Sequence, residues 1–79
     1  FIFNEEGYHE IWMMNMSLPI DIMWIDKDLK IIDIAESAQP CKFNCPIYRP
    51  DSKASYVLEV NSGFAKENKL QIGDYISIS

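Results

Sequence analysis

Three carboxylates interrupt otherwise apolar runs: Asp21 between Ile20 and Ile22, Asp33 between Ile32 and Ile34, and Glu59 between Leu58 and Val60. Neighbouring side chains of a strand point to opposite faces, so each acid stands on the face away from its apolar neighbours. Such an acid either lines a solvated sheet face, which alternation alone explains, or is partly buried and accepts backbone N–H bonds or a ligand. The sharper expectation is that Asp21 or Glu59 accepts N–H bonds from a long loop downstream. Paired carboxylates can also hydrolyse a glycosidic bond, which requires a fixed separation across a sugar-shaped cleft. A calcium loop would show the D-x-[DN]-x-[DN]-G pattern, which is absent.

Cys41 and Cys45 admit two chemistries. A turn that brings their Cα atoms within about 7 Å allows a local disulfide. The other is a pair of thiolate metal ligands, but zinc takes four ligands and only His9 offers an obvious third. The disulfide is the expectation for an exported chain, whose compartment permits it. With one histidine no Ser-His-Asp or Cys-His nucleophile system assembles, and His9 reads as a surface or edge residue. Three scattered glycines make no phosphate loop. Trp12, Met13, Met14, Met16, Met23 and Trp24 form a dense aromatic and thioether group that core packing mostly explains; any that stay exposed mark a partner interface. Thioethers also suit copper(I), a rarer use of the same residues. Asn15-Met16-Ser17 matches the glycosylation sequon, which matters only outside the cytosol. No metal or cofactor is expected.

The elements that must carry these residues are strands. The chain has 79 residues, 48% of them hydrophobic and 13% aromatic, enough for a thin core in a single domain spanning residues 1–79. Its formal charge of -5 gives an average field that repels phosphate backbones and anionic surfaces, so nucleic acid is not an expected partner. No apolar run approaches the roughly 20 residues of a spanning helix. Residues 1–3 read as a strand remnant joined by a turn at residues 4–7 to a second strand over residues 8–14, forming a hairpin. Pro19 marks a bend. Ile-rich segments at residues 20–26 and 30–36 read as a second hairpin at the centre of the sheet. Residues 38–55 read as a long loop, residues 54–60 as a strand, residues 62–68 as a short helix capped from residues 61–63, and residues 70–79 as a closing strand with a turn at Gly73-Asp74. The fold class is mainly β: a small antiparallel β-sandwich or open barrel with one short helix near residues 62–68.

The ordered text Trp12-Met13-Met14-Asn15-Met16-Ser17-Leu18-Pro19-Ile20-Asp21, then Pro40-Cys41, Cys45-Pro46-Ile47-Tyr48, Tyr56-Val57-Leu58-Glu59 and Ile72-Gly73-Asp74, resembles the family catalogued as domain of unknown function number 192, also called uncharacterised protein family 0127. The resemblance runs from Phe1 to the C-terminus. It implies a small bacterial or archaeal β-domain, exported or tethered to a membrane on its extracytoplasmic side, with no assigned biochemical role. It also implies that the chain is truncated or processed at its N-terminus, and that a missing first strand and short helical stretch, or a second chain, completes the sheet. The family's tryptophan-methionine-basic-asparagine-threonine pattern appears as Trp12-Met13-Met14-Asn15-Met16, so methionines replace the two groups an anionic ligand would use. Trp12, Asn15, Pro19, Asp21, Tyr48 and Glu59 match and are the candidates for a shared ligand- or partner-binding surface. Asn15 and Asp21 suit pinning turn backbone, and Trp12 and Tyr48 offer stacking faces. Where relatives place Asp-Gly, this chain has Asp28-Leu29, and because leucine resists positive φ a longer loop than a two-residue turn is expected.

These residues point to a non-catalytic binding or accessory module of the cell envelope that takes a protein partner. The alternatives are a carbohydrate-binding or carbohydrate-active domain taking a glycan through Asp21 and Glu59, and a structural subunit of a larger membrane-associated complex.

Overall fold

The computed structural model describes residues 2–14 and 16–76, with the backbone alone at residues 2–6. Among the described residues six strands and one helix follow in chain order: β1 (Ile2–Gly7), β2 (Ile11–Trp12), β3 (Ile20–Ile25), β4 (Ile31–Ala38), β5 (Ile47–Tyr48), β6 (Ala54–Asn61) and α1 (Phe64–Glu67). They make a four-stranded sheet in the order β1-β6-β3-β4 and a two-stranded ribbon of β2 and β5, with every strand pair antiparallel. This is the mainly β architecture with one short helix that the residue pattern implies, and the sheet does not close into a barrel.

The sequence of β3 explains its place. Ile-Asp-Ile-Met-Trp-Ile has no polar face, and Asp21, Ile22, Met23, Trp24 and Ile25 are all buried. A strand apolar on both faces must be covered on both. On one face Ile22 and Trp24 join Met13, Ala38, Ala54 and Val57, with Ile11 and Tyr48 of the ribbon packed against them. On the other, Met23, Ile25 and Ile31 gather Leu29, Ile34, Tyr56, Val60, Leu70 and Ile76.

The β3–β4 hairpin forms as expected, but its partner at the sheet centre is β6, and β4 lies at an edge. The connection spans residues 26–30, longer than a two-residue type I′ turn. Leu29 N–H donates to the Asp26 carbonyl at 3.0 Å, and the Asp26 carboxylate accepts from the N–H groups of Asp28 and Lys30, each at 2.9 Å. Leu29 nevertheless takes the positive φ, 68°, that leucine disfavours. Its side chain packs on the second core cluster and Asp26 ties the backbone on either side, which together hold the conformation.

Two expectations are corrected. Residues 4–7 are no turn: β1 runs through them and pairs with β6, so the hairpin with residues 8–14 does not form. Residues 70–76 form no strand of their own. They carry a turn at residues 71–74, with Gly73 at φ 100° and Asp74 N–H donating to the Gln71 carbonyl, and they hydrogen-bond backbone to backbone with Leu29 and Ile31 beside the start of β4. The expected strand's last residues, 77–79, lie outside the described residues. No helix among the described residues is long and apolar enough to cross a membrane.

Candidate functional site

The ribbon brings two irregular segments side by side. Ile11 lies opposite Tyr48 and Trp12 opposite Ile47, while a bridge joins Met14 to Cys41 and the Cys41 N–H donates to the Met13 carbonyl at 3.3 Å. Alternation then sorts the side chains. Ile11 and Met13 turn inward, Met13 fully buried, and Tyr48 shares the inward face opposite Ile11. Trp12 and Met14 turn outward, and Ile47 shares the outward face opposite Trp12. The dense aromatic and thioether group is therefore divided: Met13, Met23 and Trp24 are core, whereas Trp12, Met14 and Met16 are exposed.

A disulfide joins Cys41 and Cys45, with Cα atoms 5.5 Å apart, which removes the thiolate-ligand alternative. The five-residue ring carries Phe43 at its apex, 87% exposed. Trp12 at 59% and Ile47 at 57% are paired on the outward side of the ribbon, and Leu18, just before β3, is 69% exposed, so both segments carry exposed large apolar side chains. Sequence reasoning singled out Trp12 but missed Phe43, Leu18 and Ile47. The usable signal for Trp12 and Ile47 was the alternation of residues 11–14, and no local pattern names Phe43 or Leu18. Opening the ring, with reductant or as Cys41→Ser with Cys45→Ser, should lower stability by about 2 kcal/mol in the chain-entropy description of so short a loop. Urea unfolding with and without reductant measures this, and coincident curves would contradict it.

Asp21 lies elsewhere. It is fully buried on the sheet face away from the ribbon, and both carboxylate oxygens are occupied. Oδ1 accepts from the Ser37 N–H at 2.8 Å; Oδ2 accepts from the N–H groups of Gly63 at 3.1 Å and Ala65 at 3.0 Å. The donors belong to β4 and the start of α1, not to the long loop. At Ser37 the ladder is irregular, Ile20 facing Ala38 while Ile22 faces Ala35, and Ser37 sits at φ 52°. Asp21 thus caps a helix whose own N-cap, Gly63, has no side chain to do so, and it holds a bulge at the same time. The Ser37 and Ser62 hydroxyls, 2.7 Å apart, close this junction at the surface.

Glu59 is half-buried on β6 opposite Ile22, and Asp21 is opposite Val60, so the two carboxylates point to opposite faces of the sheet. They cannot flank one glycosidic bond. Asp33 holds backbone as well, accepting from the N–H groups of Ile34 and Asp51, each at 2.9 Å. Pro19 is half-buried just before β3, and Asn15 lies outside the described residues. Of the six candidates, then, Trp12 and Tyr48 share the ribbon but face opposite ways, and Asp21 and Glu59 belong to the sheet.

Trp24 and Tyr8 tie the ribbon to the sheet. The Trp24 indole N–H donates to the His9 carbonyl at 3.0 Å, and the Arg49 guanidinium lies 4.4 Å over the Tyr8 ring. No group of three or more His, Cys, Asp or Glu side chains among the described residues is placed to hold a metal ion.

The fold is similar to that of a Sinorhizobium meliloti 1021 protein whose crystal structure is described as that of a "putative transcription regulator", 35% identical, with a TM-score of 0.86 over 95% of this chain and 57% of that one. It is also similar to a protein of unknown function from Novosphingobium aromaticivorans DSM 12444, 24% identical, with a TM-score of 0.85 over 99% of this chain and 54% of that one. The chain thus spans little more than half the length of these two solved chains. No curated protein matches it. The model of the family Uncharacterized ACR, domain of unknown function 192, matches residues 1–78, and the chain belongs to that family.

Proposed function

We propose that the domain is a non-catalytic binding module of the cell envelope, working on the extracytoplasmic side, and that its binding face is the outward side of the ribbon with the disulfide ring. The observation that carries this reading is the exposure of Trp12, Leu18, Phe43 and Ile47 on two adjoining segments, with the register setting Trp12 and Ile47 on one side of the ribbon and the covalent ring carrying Phe43. Large apolar side chains gathered on a small domain mark a contact surface. The disulfide supports the compartment, since such bonds persist where the surroundings are oxidising.

The regulator name of one structural neighbour suggests DNA, but holding a duplex takes several phosphate contacts from clustered cations, and the seven cations of this chain are dispersed along the sequence. A carbohydrate reading keeps the exposed Trp12 indole and loses Asp21, whose oxygens hold backbone. Co-fractionation of the tagged chain with native envelopes tests the proposal. Trp12→Ser and Phe43→Ser should release it while Tyr75→Ser, exposed on another part of the surface, should not. Equal retention of all three variants would remove the proposed face.

A further inference from the structure

We infer that the occupant of this face is the interfacial zone of a phospholipid bilayer carrying anionic headgroups; the inference rests on the binding-face reading above and adds its partner. Three observations carry it.

The first is shape. Side chains as exposed as Phe43 and Leu18 stand out from the surface and do not line a cleft. A protein partner would have to supply pockets for each of them, whereas a bilayer accepts protruding apolar groups without prior fit. Indole and phenyl rings beside aliphatic side chains are also the set that favours the headgroup level.

The second is charge. Residues 11–20 and 40–50 contain Lys42 and Arg49 and no acid, so all twelve carboxylates of the chain lie outside them. Lys42 is next to Phe43 within the ring, and Arg49 follows β5. The whole molecule, at -5, is repelled on average by an anionic leaflet. Its extents are 35 × 28 × 21 Å, however, and exposed charges more than about 8 Å apart are largely screened at physiological salt. The remote acids therefore act weakly at the contact; Glu10 and Asp51 adjoin the ribbon at its Arg49 end, so the local positive charge is that of Lys42 at the ring, which the bridge of Met14 to Cys41 sets at the other end, and it turns the ring toward the lipid.

The third is rigidity and depth. The disulfide constrains the backbone that carries the exposed Phe43 and Lys42 before binding, so less order is lost on contact. The ring's backbone groups need water or other partners, which limits insertion to side chains at the headgroup level.

The chain carries its own reporter, because Trp24 is buried and Trp12 is exposed. Added to phosphatidylcholine vesicles containing phosphatidylglycerol, the chain should show a blue shift of Trp12 emission and quenching by lipids brominated high in the acyl chain. Lys42→Ser should weaken partition roughly fivefold, the effect of one basic residue near the surface. Phe43→Ser should weaken it about tenfold or more, the transfer of one phenyl group. Both side chains are exposed, so neither variant removes core packing, and Ile72→Ser on the turn beside β4 should bind as the parent does. Absence of partition into the anionic vesicles, or partition that Phe43→Ser leaves intact, would overturn the inference. If vesicles fail to bind while Phe43→Ser still releases the chain from native envelopes, the lipid occupant falls and the binding face stands; if neither assay responds, both fall.

Discussion

Asp21→Ala should leave much of the chain unfolded under conditions where the parent is folded, with a loss of about 3–5 kcal/mol. The total stability of a chain of 79 residues is on the order of 4–12 kcal/mol, so this is a large fraction of it. The loss comes from removing a buried carboxylate on which three N–H donors converge: Ser37 from the β4 bulge, Gly63 and Ala65 from the start of α1. Ser37 is exposed and Gly63 half-buried, so water can reach their N–H groups after relaxation, but Ala65 is buried and its N–H would be stranded. Asp21→Asn keeps the shape and one acceptor oxygen. If that oxygen faces Gly63 and Ala65, the amide nitrogen confronts the Ser37 N–H, donor against donor, and the loss should be roughly half that of the alanine variant. Urea unfolding gives the totals. Faster amide exchange at Ser37, with Ala65 keeping the parent's protection, would locate the damage in the asparagine variant, and an alanine variant as stable as the parent would defeat the account.

How far this junction was legible in the sequence depends on chain distance. An acid inside Ile-Asp-Ile suggested a carboxylate accepting backbone N–H groups, but its donors lie 16, 42 and 44 residues away, and no local pattern names them. The β3–β4 hairpin was readable because both strands are β-branched and the link is short. The first strand was misread for the opposite reason: Asn4-Glu5-Glu6-Gly7 has the composition of a turn, and only pairing with β6, far along the chain, makes it extended. β2 and β5 are two residues each, too short for periodicity, so the long loop concealed half of the ribbon. Trp12 and Tyr48 looked equivalent as aromatic residues on irregular segments. The burial of Met13 separates them, since it fixes which side of β2 faces the core, and register with β5 does the rest. The family resemblance supplied motif order but no facing direction, which is why the exposed apolar set emerged only from coordinates.

That facing direction depends on Trp24, and the second large effect follows from it. Trp24→Ala should cost about 3–5 kcal/mol, the range for truncating a large buried aromatic. Trp24 is 1% exposed and packs in the cluster containing Met13, Ile22 and Val57, so truncation opens a cavity directly beneath the ribbon. Trp24→Phe separates packing from hydrogen bonding. It keeps most of the ring but removes the donor to the His9 carbonyl, 15 residues back in the chain, and should cost about 1–2 kcal/mol through that bond and the lost ring volume. His9 stands at φ 41°, a left-handed conformation that a residue with a Cβ holds only when its surroundings impose it. The indole bond is one such constraint, and residues 8–10 set the angle at which β2 leaves β1 for its place over the sheet. The phenylalanine variant should therefore exchange the amides of β2 and β5 faster while β3 and β6 keep the parent's protection. Uniform acceleration across the sheet would instead mean that Trp24 contributes only packing, and that the outward face is held by the disulfide and the ribbon register alone.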